Sequence, residues 1–178
     1  MKKIKLKGYQ LELDSIEAYF EKYDFIYFVF LRQLGCIFCR DLVGILKSQV
    51  EIMPKFPKLL FFHPGNLEQG EFYFSDKFPS AEAVADPEGE IYGSFNFHEG
   101  NWFELFHPKM FAKAFQAYQR GARQGKTAGN HKFMGGVLLY KNGELFWEHR
   151  SKYAGDLPSI STMIGKAKDA GVDVFNLD

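Results

Sequence analysis

Phe25 to Leu31 form an unbroken run of seven aromatic, β-branched and aliphatic residues that stops at Arg32-Gln-Leu-Gly35 and gives way at once to Cys36-Ile-Phe-Cys39. A run of this length, apolar on both of its alternating sides, fits a central strand covered on both faces. Because the strand ends at a glycine and the next residues open a helix, the first cysteine falls at a helix N-terminus. Orphan backbone N–H groups point there and favour a thiolate over a thiol. Cys36 and Cys39 are the only cysteines in the chain, and their spacing on a first helical turn brings both sulfurs to one face, within reach of a small disulfide ring. One sulfur can attack and the other can resolve.

The chain has 178 residues, enough for one domain that buries about 70% of the surface its unfolded form exposes. With 22 basic and 22 acidic side chains, no global charge attracts it to nucleic acid or anionic lipid. The longest apolar run falls far short of the ~20 residues that a membrane-spanning helix needs. The first residues, Met-Lys-Lys-Ile-Lys-Leu-Lys, lack the apolar centre of a secretory signal. These features set the expectation of a cytoplasmic protein that binds neither nucleic acid nor membrane. In a reducing compartment a close cysteine pair is better explained by redox or metal chemistry than by a structural staple.

The pattern along the chain reads as follows. Ser15 to Tyr23 predicts a short amphipathic helix capped by Asp14 or Ser15. A helix from about Cys36 to Val50 ends before Pro54 and Pro57, and Lys58 to His63 is a second apolar strand. Leu67 to Phe74 predicts a helix and Ala83 to Ala85 a brief strand, followed by a type I turn at Asp86-Pro-Glu-Gly89. This β-α-β-α order implies parallel strands with helices on the faces. Gly100 to Asn130 departs from it as a helical insertion beginning near Pro108, with Phe111, Ala114, Phe115 and Tyr118 on one side. Its other side is basic, with Lys109, Lys113, Arg120, Arg123 and Lys126 against Glu104 alone. Val137 to Tyr140 and Glu144 to His149, joined through Lys141-Asn-Gly143, predict a hairpin. A last helix is expected from Leu157 to Ala170, with Pro158 in its first turn, Asp156 as a cap and Gly171 at its end.

Together these elements make a thioredoxin-like three-layer α/β/α plan with a mixed central sheet, an antiparallel terminal hairpin and a helical insertion, within a single domain spanning residues 1–178. Three phrases narrow it. FVFLRQLGCIFCRDLV from Phe28, AVADPEGEIYGSF from Ala83 and MGGVLLYKNGELFWEHRSKYAGDLP from Met134 resemble the peroxiredoxin-like branch of the alkyl hydroperoxide reductase and thiol-specific antioxidant family, and within it the redox proteins related to selenoprotein L. The resemblance implies a redox centre at Cys36 and Cys39 and a role in thiol-disulfide exchange or peroxide reduction. The chain departs from the family's pattern where a peroxidatic cysteine is preceded by Pro at seven residues and Thr or Ser at three: before Cys36 stand Val29 and Gln33, and before Cys39 stand Arg32 and Cys36. The thioredoxin cis-proline position reads Lys132-Phe-Met-Gly135.

The candidate site is therefore Cys36 as nucleophile at an exposed helix start, Cys39 as resolving thiol, and Arg150, which the resemblance implies as the strand arginine that holds peroxide and thiolate. Arg32 and Arg40 flank the pair and can also stabilise an anion. The other half of a zinc site is missing: His63, His98, His107, His131 and His149 are scattered. No metal, flavin or nicotinamide cofactor is implied. The reading is a thiol-disulfide oxidoreductase, peroxiredoxin-like, recycled by a thioredoxin- or glutathione-type reductant and acting on a peroxide or protein disulfide. The resemblance further implies a homodimer through the insertion. The alternative is a non-enzymatic binding or scaffold module whose basic, aromatic insertion holds a partner.

Overall fold

A computed structural model of the chain describes residues 5–101, 104, 107–126 and 133–174. Its centre is one six-stranded mixed sheet in the order β1-β4-β3-β2-β5-β6. The strands are β1 (Gly8–Tyr9), β2 (Phe25–Phe30), β3 (Lys58–His63), β4 (Ala83–Ala85), β5 (Gly136–Lys141) and β6 (Glu144–Arg150). β2, β3 and β4 run parallel, whereas β5 and β6 are antiparallel and β1 closes the other edge antiparallel to β4. The helices are α1 (Ile16–Lys22), α2 (Ile37–Ile52), α3 (Leu67–Lys77), α4 (Glu90–Ser94), α5 (Lys109–Gln119) and α6 (Ile160–Ala170). This is a thioredoxin-like α/β arrangement.

Strand alternation divides the interior in two. Tyr27, Val29, Phe61, Val137 and Leu139 face α2, α3 and α6, in the same cluster as both cysteines. Ile26, Phe28, Phe30, Leu60, Phe62 and Leu138 face α1 and α4. The parallel β2–β3 pair is buried on both sides because helices cover both faces, and between the terminal Lys58 and His63 of β3 its residues are accordingly apolar or aromatic.

Local signals account for most boundaries. The Ser15 side chain accepts from the Ala18 N–H to start α1, and Asn66 with Gln69 forms a capping box on α3. Asn142 and Gly143 take positive φ values of 50° and 77°, as a two-residue type I′ hairpin requires. Two elements absent from the sequence reading are β1, which exists only through its pairing with β4, and α4, a single turn whose Ile91 and Tyr92 N–H groups are both held at 2.9 Å by the buried Asp86 carboxylate.

Two expectations are corrected. α6 starts at Ile160 rather than Leu157, with Ser159 as its cap accepting from the Thr162 N–H at 3.1 Å. Pro158 pushes the residue before it out of helical backbone, so the helix cannot begin there. Asp156 instead accepts from the Lys152 N–H at 2.9 Å. In α5 the expected inner side does not form: Phe111, Phe115 and Tyr118 are 69%, 63% and 54% exposed, and the helix packs through Met110, Ala114 and Ala117. The expected insertion extends beyond the described residues at 102–103, 105–106 and 127–130.

Candidate active site

The dithiol sits where β2 ends and α2 begins. Cys36 occupies the N-cap position with φ −67° and ψ 126°, and its carbonyl accepts the first helical bond from the Arg40 N–H at 3.0 Å. Cys39, one turn on, approaches it to 3.9 Å, and both are free thiols. Hydrogen bonding from Cys39 is the largest influence on Cys36 and lowers its pKa to about 6, against the opposing effect of burial; the Arg32 guanidinium and the Cys39 backbone N–H add to the lowering. Cys39 moves the other way, well above an ordinary thiol, because it donates to Cys36 and is buried beside it. The pair is thus split into one sulfur favoured as thiolate and one that keeps its proton.

The structure corrects the exposure of this site. Cys36 is only 2% exposed, although a helix start would ordinarily leave it open. The crevice reaching it has a volume of about 10 Å³, the room of a single water, between Arg32, Phe38, Met134, Gly135 and the stretch Ser151–Gly155. A larger cleft of about 420 Å³ lies alongside, between α2, α5 and the start of α6, and shares Phe38, Gly155 and Leu157 with the crevice.

The insertion braces the segments around the pair. On one flank the Ala154 N–H donates to the Glu104 carbonyl at 2.8 Å, and His107 stacks on Tyr153 at 4.7 Å between ring centroids. On the other, the segment after α5 crosses the cysteine loop: the Gly125 N–H donates to the Gly35 carbonyl at 2.9 Å and the Gln124 side chain accepts from the Ile37 N–H at 3.1 Å. A Cβ on residue 35 would lie 2.2 Å from the Lys126 carbonyl oxygen, so only glycine admits this crossing.

Of the three candidate arginines, Arg150 and Arg32 exchange places. Arg150 is in register with Phe30 through Gly136, on the sheet face away from the cysteines. It donates to the Phe95 carbonyl at 2.8 Å and to Glu148 at 2.9 Å, and stands over the Phe97 ring. The structure therefore does not bring Arg150 to the sulfurs; the next residue, Ser151, lines the crevice in its stead. Arg32 is the arginine beside Cys36, and its Nε is buried without a partner among the described residues. Arg40 lies over the Tyr73 ring at 5.8 Å. Sequence reasoning missed Gln124 and the 151–157 loop. The only sequence signs of them were Gly35 and Gly125, which permit the close crossing, and the Tyr-Ala-Gly-Asp-Leu-Pro phrase.

A mixed-sheet α/β fold with a cysteine pair at a helix start defines a thioredoxin-fold protein. A family model described as AhpC/TSA antioxidant enzyme matches residues 46–153, more than half of the chain, and the protein belongs to that family. The matched stretch begins after Cys39, so the cysteine pair lies outside it. A thioredoxin-like protein, AAED1, which is chloroplastic in Arabidopsis thaliana, is 25% identical over 146 residues, covering 76% of this chain and 58% of its own length. The chain thus spans little more than half the length of that relative. Its chloroplast location overturns the expectation of a cytoplasmic protein. Family and relative together support a redox function on the thioredoxin fold.

Proposed function

We propose that the protein is a thiol-disulfide oxidoreductase that works through a Cys36–Cys39 disulfide. The observation that carries this reading is the opposite treatment of two sulfurs 3.9 Å apart, one favoured as thiolate and one held protonated. The Cys36 thiolate attacks a substrate disulfide, forming a mixed disulfide and releasing one substrate thiolate. Cys39 then attacks the Cys36 sulfur and gives up its proton, which closes the intramolecular disulfide and releases the second substrate sulfur as a thiol. With a peroxide, the thiolate attacks an oxygen to give a sulfenic acid and an alcohol or water, and condensation with Cys39 expels water. Either way two electrons leave the dithiol, and a thioredoxin- or glutathione-type reductant returns them.

Timed exposure of reduced protein to one equivalent of hydrogen peroxide, quenched by alkylation and read by intact mass, tests the reading. Loss of two hydrogens together with both alkylation sites within seconds marks a peroxidase; loss only with a disulfide substrate marks exchange. Cys36→Ser abolishes turnover and Cys39→Ser accumulates an adduct on Cys36. Equal activity of both variants and the wild type sinks the assignment. The exposed aromatics Phe111, Phe115 and Tyr118 beside Lys109 and Lys113 favour a second reading, a module that binds a partner through α5. Such a module needs no fast-reacting thiol at neutral pH.

A further inference from the structure

A nucleophile that must meet a sulfur or an oxygen substrate cannot stay enclosed with room for one water. Something must move, and the contacts around the cysteines differ in how readily they give way. The sheet side is fixed, because Gly135 and Met134 lead directly into β5 and the Ser151 N–H donates to the Gly135 carbonyl at 3.0 Å. The segment Arg120–Lys126 is different. It is tied down by a few polar contacts: the Arg120 guanidinium forks onto both Asp41 carboxylate oxygens at 2.9 and 2.6 Å, Gln124 holds the Ile37 N–H, and Gly125 holds the Gly35 carbonyl. Gly121, with φ 92° and nothing within 4 Å of where a Cβ would stand, lies directly after the fork. A segment anchored by a partly exposed ion pair and two hydrogen bonds, next to a glycine, opens at low cost compared with a packed element.

We propose that Arg120–Lys126 is a gate over the dithiol, latched in the reduced protein by Arg120 on Asp41 and released for Cys36 to react. The latch couples the gate to α2 itself, since Asp41 lies two residues beyond Cys39 on the same helix. Gln124 takes the first free N–H of that helix, a donor that an incoming anion would otherwise use, so the closed gate lies across both chain neighbours of Cys36, Gly35 and Ile37, and occupies the helix start. This inference concerns the regulation of the dithiol and rests on the oxidoreductase reading above.

The experiment measures the rate of Cys36 alkylation by iodoacetamide across pH in the reduced full-length protein, with the alkylated residue identified by peptide mass. The midpoint of the profile reports thiolate formation, and the plateau at high pH reports access. Weakening the latch by about 1 kcal/mol corresponds to about a fivefold higher plateau, so Arg120→Ala and Asp41→Asn are each expected to raise the plateau by about that factor, with the midpoint unchanged. The exchanged pair, Asp41→Arg with Arg120→Asp, restores the fork in reverse and returns the plateau toward wild type, which a general loosening of the fold would not do. Single variants with a wild-type plateau overturn the gate, as does an exchanged pair that stays as fast as the single variants. Failure of the oxidoreductase reading looks different: it leaves the midpoint of the wild type at that of an ordinary thiol, about 8.5, whatever the plateau does.

Discussion

The two faces of the sheet are built by different rules. The face toward α1 and α4 is a stack of rings: Phe28 lies 5.1 Å from Phe62 and 5.4 Å from Phe20, and Phe30 lies 4.5 Å from Phe62 and 4.3 Å from Phe97. Its buried hydroxyls are partnered: that of Tyr92 donates to the Leu31 carbonyl, with the Phe62 carbonyl 2.9 Å away, and that of Tyr19 donates to the Glu82 carboxylate. The face toward α2 and α3 carries the cysteines, and with them come the polar atoms that are buried without a partner among the described residues: Arg32 Nε, Gln33 Oε1, both ring nitrogens of His63, and the Tyr73 hydroxyl. Orphaned polar groups cost stability wherever they sit. Their confinement to the cysteine side means that one layer holds the fold together and the other tolerates local penalties around its reactive sulfur.

The most severe way to test this division is to damage the far face. Phe28→Ala removes a fully buried ring and is expected to cost about 3–5 kcal/mol in urea unfolding, while the midpoint of Cys36 alkylation in the folded protein stays where it was. A shifted midpoint would mean that the two layers are not independent. The next effect lies on the cysteine side. Burial lowers the His63 pKa from 6.5 to about 4. Below pH 6.5 the unfolded chain therefore takes up a proton that the folded chain refuses, and stability is lost as the pH falls toward 4, by up to about 3 kcal/mol. His63→Leu removes this acid sensitivity, and because neither ring nitrogen has a partner to lose, the variant is expected to be more stable than wild type at pH 5. Equal pH slopes for the two proteins would show that His63 is hydrated or paired in solution.

A third test separates the two arginines. Arg32→Met is expected to raise the Cys36 midpoint by roughly one pH unit, the effect of losing one nearby opposite charge, whereas Arg150→Met leaves it unchanged. The reverse result would restore to Arg150 the role that the resemblance implies.

What the sequence made legible follows the same division. β3 and β4 were read to the residue, as was the start of β2, and the hairpin to within a residue at each end, because alternation, uninterrupted apolar runs and Asn-Gly chemistry are local signals. The CxxC motif located the sulfurs for the same reason. Their burial was not legible, since the residues that enclose them, Met134, Gly135 and the loop from Ser151 to Leu157, return from about 100 residues further along the chain, and no local pattern encodes that approach. Arg32 and Arg150 could not be ranked from sequence either. The choice between them turned on strand register, which places Arg150 opposite Gly136 and Phe30 on the far face. Phe111, Phe115 and Tyr118 carried a helical periodicity that suggested burial, but α5 packs through the smaller Ala114 and Ala117 with Met110, on its side toward α2.

The smallest expected effect is also the one in which the two faces differ in sign. Tyr73 and Tyr92 are both buried tyrosines whose pKa burial raises, on opposite sides of the sheet. Removing a buried hydroxyl that makes a hydrogen bond typically costs about 1 kcal/mol, whereas removing one that makes none relieves a desolvation penalty of similar size. Tyr92→Phe loses the bond to the Leu31 carbonyl and is expected to lower the urea midpoint; Tyr73→Phe loses nothing and is expected to raise it. The Tyr73 ring keeps its packing against Phe74 at 5.0 Å in the variant, so the comparison isolates the hydroxyl. If both substitutions destabilise, the Tyr73 hydroxyl has a partner in solution, and the two faces do not differ in how they treat a buried hydroxyl.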